Sequence, residues 1–68
     1  TKTAGMAEMA IVYGNRYRVT NKEVDFGLIK AENAFFKGNF KNSLENAINA
    51  INIVEPGIHK KLLEESQS

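Results

Sequence analysis

Few side chains in this sequence could take part in catalysis or hold a metal ion. His59 is the only histidine, Asp25 is the only aspartate, and the chain has no cysteine. A hydrolytic triad needs a nucleophile, a base and a group that orients the base, and a metal site needs several converging ligands. Glu64 and Glu65 are adjacent and therefore face different directions on a helix. We expect neither an enzyme nor a metal or cofactor site, and His59 is interpreted as a surface residue near the start of a helix.

The five glycines are scattered and form no phosphate-binding loop. A nucleotide site would need a glycine-rich turn between a strand and a helix, so that backbone amides can surround the phosphates. Gly14 and Gly27 fall inside predicted helices, where each costs about 1 kcal/mol relative to alanine. Close approach of a neighbouring backbone would explain why glycine stands at these positions, and local flexibility of the helices is the alternative.

Residues 11–18, IVYGNRYR, favour recognition of another protein. On an α-helix Tyr13 and Tyr17 lie on the inward side. Val12, Asn15 and Arg16, spaced i, i+3 and i+4, share a different face. Arginine and asparagine donate hydrogen bonds with fixed geometry, and arginine is enriched at interface hot spots. This helix therefore exposes more apolar and planar polar side chains to solvent than a helical bundle requires.

Ile11 and Arg18 fall beyond that face and also point away from the predicted core. We therefore expect a protein-binding surface of five residues. They are Ile11, Val12, Asn15, Arg16 and Arg18. An amphipathic helix with ordinary polar groups at its end is the alternative interpretation.

Helical periodicity predicts two helices that position this segment. The first spans about residues 3–18, and its inward residues are Met6, Met9, Ala10, Tyr13 and Tyr17. The second begins at a capping box in which Thr20 and Glu23 bond each other's backbone amides. Its inward stripe is Val24, Leu28, Ala31 and Phe35, widened by Phe36. Gly38 is placed to end it in the left-handed conformation.

A third helix follows from Asn39, which is predicted to cap it. Its inward residues are Phe40, Leu44, Ala47, Ile48, Ile51 and Val54. Pro56 and Gly57 are expected to end it, and a short fourth helix is predicted over residues 58–65. The link at residues 37–39 is short, so the second and third helices should form an antiparallel hairpin with the first across them. The predicted fold is all-α, a three-helix bundle with a short C-terminal helical extension.

Chain length and net charge limit which classes of function remain. The chain has 68 residues, enough for one helical module, and a net charge of +1 with basic and acidic residues interspersed. Nucleic-acid binding is disfavoured because no basic face is clustered. No apolar run approaches the roughly 20 residues that span a bilayer, so no direct membrane contact is expected. Because the sequence starts at Thr1 and not at an initiator Met, we expect an excised fragment of a longer protein, with any membrane anchor outside it.

The aromatic residues around Gly38 allow a second structural interpretation. Phe35 and Phe36, then Gly38, Asn39 and Phe40, are typical of a tetratricopeptide-like hairpin. Only one such unit is present, whereas solenoids need about three. The alternative function is therefore a structural unit that caps a longer helical array or binds a peptide within it.

Three strings of residues resemble the C-terminal end of EzrA, the septation ring formation regulator family. They are YGNRYR at 13–18, AENAF at 31–35 and VEPG at 54–57. The resemblance implies spectrin-like helical bundles that are cytoplasmic and held at the membrane by an N-terminal transmembrane helix. It also implies binding to the tubulin-like division protein FtsZ and restraint of ring assembly away from midcell.

The family also has a Gln-Asn-Arg patch that matters for midcell localisation. Asn15 and Arg16 match it, whereas Val12 stands at the glutamine position. The resemblance therefore predicts a non-catalytic module that binds FtsZ or another divisome protein at the cytoplasmic side of the cell membrane. A homo-oligomer remains open.

Overall fold

The computed structural model describes residues 2–57 and residue 60 as three α-helices with a 3-10 turn after the first. The elements are α1 (Lys2–Gly14), the 3-10 turn (Asn15–Tyr17), α2 (Lys22–Phe36) and α3 (Phe40–Asn52). No strand is present in this part of the chain, which confirms for it the prediction of an all-helical fold with three helices. The predicted helix over residues 58–65, and His59 with it, lies outside the described residues apart from Lys60.

The junction between α1 and α2 differs from the prediction at two points. The α-helix ends at Gly14, and the predicted continuation to Arg18 is a 3-10 turn. The residue that caps α2 is Asn21, whose Oδ1 accepts from the backbone amides of Glu23 at 3.0 Å and Val24 at 3.2 Å. Thr20 was predicted for this role, but its hydroxyl donates to the Tyr17 carbonyl at 3.4 Å. Thr20 therefore completes the preceding turn, and the helix starts one residue later.

The link between α2 and α3 has the geometry predicted for it. Gly38 has φ of +82°, a conformation that favours glycine. Its amide donates to Phe35 at 3.0 Å, and the amide of Asn39 donates to Ala34 at 2.8 Å, which is the Schellman pattern. Asn39 is the residue before α3, but its side chain makes no capping hydrogen bond.

Contacts between α2 and α3 run in opposite directions along the two helices. The Phe35 and Phe40 rings lie 5.1 Å apart, and the buried Ser43 hydroxyl donates to the Ala31 carbonyl at 2.7 Å. At Gly27 an added Cβ would lie only 2.6 Å from the Cβ of Ala50. The partners advance along α3 as they retreat along α2, so the two helices form the predicted antiparallel hairpin.

Helix α1 packs against both helices of the hairpin, and more extensively against α3. Gly14 is buried at the end of α1. An added Cβ there would lie 2.8 Å from Leu28 Cδ1 and 3.0 Å from Ile51 Cγ1. Close approach therefore explains both glycines, although the neighbours of Gly14 are side chains and not a backbone.

The core contains mostly small residues, which let the helix axes come close. Its buried apolar members are Ala7, Ala10, Val24, Leu28, Ala31, Ala47, Ala50 and Ile51, and Ser43 is buried with them. On α1 the buried stripe is shifted from the prediction, because Met9, Tyr13 and Tyr17 pack only partly buried against the core. Among residues predicted to face inward from α3, Leu44 and Ile48 are also partly buried.

Two residues predicted for the core lie at the surface. Phe36 is 82% exposed, since it is turned about 100° from Phe35, whose ring takes the place against Phe40. Helix α3 ends at Asn52, four residues before Pro56, where its end was predicted. Val54 follows the end of the helix and is exposed. Among the described helices, none is long and apolar enough to cross a bilayer.

Candidate protein-binding surface

Arg18 joins the segment after α1 to helix α2. Its Nε lies 2.7 Å from Asp25 Oδ1, and its Nη1 lies 3.1 Å from Glu32 Oε1. The hydrogen bond to Asp25 is the main cause that raises the pKa of Arg18 above its usual value, so the guanidinium stays charged. The prediction that Arg18 points away from the core is therefore wrong. The two carboxylates of α2 draw the side chain back over the helix.

Tyr13 and Tyr17 join the same segment to the residues that follow α3. Their rings lie 6.3 Å apart, and both hydroxyls donate to Glu55 Oε2, the one from Tyr17 at 2.8 Å. This hydrogen bond to the carboxylate raises the pKa of Tyr17 to about 12, because it stabilises the protonated phenol. Residues 13–18 are thus anchored to both helices of the hairpin.

Glu55 is held in place by the turn that ends α3. Its amide donates to the Ile51 carbonyl at 2.8 Å. Asn52 Oδ1 accepts from the amide of Gly57 at 3.2 Å, and Gly57 has φ of +89°. Sequence reasoning missed Glu55 because it is 38 and 42 positions from the two tyrosines. The i, i+4 spacing of two inward phenols was a signal that they share one acceptor.

Asn15 and Arg16 lie on the surface of this anchored segment, and Val12 directly precedes it on α1. Val12 is 62% exposed, and Asn15 and Arg16 are exposed as well. The guanidinium carbon of Arg16 lies 4.2 Å from the centre of the Tyr13 ring, a cation–π arrangement. Asn15 Oδ1 accepts from Arg18 Nη1 at 3.2 Å. The two polar side chains are therefore oriented by residues that are themselves fixed to the hairpin.

Ile11 does not lie where the sequence predicted. It is partly buried and packs against the core, so the interpretation of Ile11 as an outward residue is wrong. Ile11 and Val12 line one side of a groove of about 250 Å³ whose other side comes from α2. The remaining lining residues are Glu8, Glu32, Phe35 and Phe36. Of the five predicted surface residues, Val12, Asn15 and Arg16 are thus presented to solvent, while Ile11 and Arg18 support them.

This arrangement offers donors, a cation and apolar surface, which suit recognition of another protein. Among residues 2–57 and 60, no group of three or more His, Cys, Asp or Glu side chains could hold a metal ion. The titratable groups that do meet, at Glu55 and at Arg18, are engaged in contacts between helices. Their chemistry is that of structural anchoring.

Comparison with known proteins gives one consistent result. The family model described as "Septation ring formation regulator, EzrA" matches residues 1–66. Proteins named septation ring formation regulator EzrA from Staphylococcus aureus strains JH9 and Newman are each 44% identical over 59 residues. These residues make up 87% of this chain and 10% of each relative, so the chain spans about a tenth of their length. No solved structure matches the chain.

Proposed function

The chain belongs to the EzrA family of septation ring formation regulators, and we propose that it is a non-catalytic module through which such a cell-division regulator binds a partner protein. The observation that carries this proposal is the exposure of Asn15 and Arg16 on a segment anchored at both ends, with the exposed Val12 directly before it. Arg18 bonds α2, while Tyr13 and Tyr17 bond Glu55 after α3. A surface held in this way loses little conformational entropy when it binds.

The partner we propose is FtsZ or another protein of the divisome, and the consequence is control of ring assembly and midcell localisation. The family resemblance supports this choice, because Asn15 and Arg16 stand where the family has its patch. Val12 replaces the glutamine of that patch, so the partner meets a methyl surface beside the groove where the family offers an amide. A single module of this kind, spectrin-like in architecture, would be the C-terminal part of a longer regulator anchored at the cytoplasmic side of the membrane.

A second candidate is a structural unit within a longer helical array. The observation in its favour is the tight α2–α3 hairpin, in which Gly27 meets Ala50 and Phe35 meets Phe40. Such a unit would use its exposed apolar residues, Phe36 among them, to pack against a neighbouring repeat or another copy.

Binding of the purified chain to purified FtsZ separates the two candidates. We expect measurable affinity by fluorescence anisotropy, and Arg16→Ala should weaken it about thirtyfold, the typical loss at an arginine hot spot. Lys41→Ala is the matched control, because Lys41 is an exposed cation on α3. Val12→Gln restores the family residue and should strengthen binding. Absence of binding by the parent chain, or equal losses for Arg16→Ala and Lys41→Ala, would favour the structural unit.

A further inference from the structure

Helix α2 carries a second apolar stripe on the side that faces away from the core. Phe26, Ile29 and Phe36 are 62%, 42% and 82% exposed. At 100° per residue they fall within about a quarter of the helix circumference. The buried residues of α2 lie on roughly the opposite side, and they are Val24, Leu28 and Ala31. Helix α2 therefore has two apolar sides, and the described chain covers one of them.

The outward side of α2 is also basic. Lys22, Lys30 and Lys37 are exposed and fall on the same side as the apolar stripe. Lys30 Nζ lies 4.8 Å from the centre of the Phe26 ring, so cation and apolar surface are in contact. Among the acidic residues of α2, Asp25 and Glu32 are both turned toward Arg18, whose single positive charge offsets one of their two negative charges. Glu23 is the remaining carboxylate, at the edge of this side in the first turn.

A polar groove of about 470 Å³ runs beside the stripe, between α2 and α3. Lys30 and Lys37 line it on α2, and Glu45 lies on its α3 wall. Most of its other lining residues are amides that can both donate and accept, namely Asn33, Asn39, Asn42 and Asn46. The surface thus combines an apolar ridge with a cationic, amide-lined border. We call this surface the α2 outer face, defined by Phe26, Ile29, Lys30, Phe36 and Lys37.

We propose that the α2 outer face binds an acidic amphipathic helix of a partner protein. Apolar side chains of that helix pack on Phe26 and Ile29, and its carboxylates meet Lys30 and Lys37. The charge of the face selects this occupant over a second copy of the chain. A two-fold contact between two such faces would bring lysines against lysines, and like charges across an interface oppose association. The face adjoins Val12 at Phe36, which lines the same groove, whereas Asn15 and Arg16 are not part of it. The proposal does not depend on the function proposed for those residues.

The test uses the full chain and a fluorescent synthetic peptide of about five helical turns, with leucine on one side and glutamate on the others. A second peptide, with lysine in place of every glutamate, is the matched probe. We expect the glutamate peptide to bind at least about tenfold more tightly than the lysine peptide. Phe26→Ala should weaken its binding. The double variant Lys30→Glu, Lys37→Glu should reverse the preference between the two peptides.

Lys2→Glu with Lys60→Glu is the control, because it makes the same change of charge at exposed residues outside α2. It should leave the preference in place, as should Arg16→Ala, which separates this surface from the first one. Circular dichroism of each variant checks that helicity is retained. All changed side chains are exposed, so none removes core packing.

Four results would overturn the proposal. The two peptides could bind equally, or the double variant at Lys30 and Lys37 could bind the glutamate peptide as the parent does. Vesicles containing phosphatidylglycerol could bind through these lysines while the glutamate peptide does not, which would assign the face to a lipid surface. Sedimentation could show self-association that Phe26→Ala abolishes, which would assign it to a second copy.

Discussion

Two regions of contact in this small fold are built by different means. The α2–α3 interface depends on small residues at close range, with Gly27 against Ala50 and the buried Ser43 bonded to Ala31. Residues 13–18 are joined to the hairpin by long polar side chains that reach across solvent-facing edges, outside the close packing of Gly14. The first interface depends on shape, which tolerates little change. The second depends on hydrogen bonds and charge, which respond to pH and leave neighbouring side chains free to face a partner.

The largest loss of stability is expected when a buried side chain of the core is shortened. Leu28→Ala should cost about 2–5 kcal/mol, because Leu28 is fully buried where all three helices meet. A domain of this size holds only roughly 3–5 kcal/mol, so much of the population should unfold. Phe36→Ala is the control and should stay within about 0.5 kcal/mol, since its ring is exposed. Urea denaturation followed by circular dichroism measures both. Equal losses would mean that Phe36 belongs to the core after all.

A pair of glycine substitutions tests the close approach directly. Gly27→Ala should destabilise the fold by about 1–3 kcal/mol, because the new Cβ would lie 2.6 Å from that of Ala50 and the helices must separate. Gly5→Ala makes the same chemical change in α1, where nothing lies within 4 Å. It should stabilise the chain by about 0.5–1 kcal/mol, the usual gain of alanine over glycine in a helix. Thermal melts that move in the same direction for both variants would contradict the assigned crossing.

The polar interface should respond to high pH. The pKa of Tyr17 is raised from 10.0 to about 12 by the hydrogen bond to Glu55. The folded state therefore holds this proton more tightly than the unfolded state, and the resulting stability is fully present below pH 10. It is lost as the pH rises through about 12. Ultraviolet titration of tyrosinate, together with melts across this range, measures the effect.

Glu55→Gln is the informative variant for this titration. The amide oxygen still accepts a hydrogen bond, but the negative charge that opposes ionisation of the phenol is gone. The pKa of Tyr17 should return toward 10, its ordinary value. Tyr17→Phe identifies the part of the titration curve that belongs to Tyr17. A midpoint that does not move in Glu55→Gln would show that Glu55 is not the cause of the shift.

The smallest effect on stability is expected at the outward residues. Arg16→Ala removes an exposed cation–π contact worth at most about 1 kcal/mol, and its melting temperature should stay close to the parent's. Tyr17→Ala should lower the melting temperature more, because it removes both core contact and the hydrogen bond to Glu55. If Arg16→Ala destabilises the chain as much as Tyr17→Ala, then Arg16 is an internal anchor. The binding surface would then have to lie elsewhere.

Local features of the sequence were sufficient for the three helices of the described residues and for the hairpin. The link of three residues with Gly38 at its centre predicts an antiparallel hairpin. Its left-handed turn and the two hydrogen bonds of that turn depend only on neighbouring residues. Gly14 and Gly27 also indicated close approach, since the cost of a glycine within a helix favours a packing reason, although the neighbours of Gly14 are side chains. The family could be recognised from three short strings. The exposure of Val12, Asn15 and Arg16 agrees with the α-helical spacing used to predict it, although Asn15 and Arg16 lie in a 3-10 turn.

Only the tertiary structure decided which side chains of residues 11–18 are available to a partner. Helical periodicity assigns a direction to each side chain, but it contains no information on what lies beside the helix. Arg18 turns inward because Asp25 and Glu32 come from another helix, and Ile11 is covered because α2 lies beside it. Glu55 accepts hydrogen bonds from both tyrosines, which lie about forty residues before it in the chain. The bonds to Glu55 need the complete hairpin, because their acceptor is distant in the chain, whereas the pairing of Arg18 needs only the turn that brings it back onto α2.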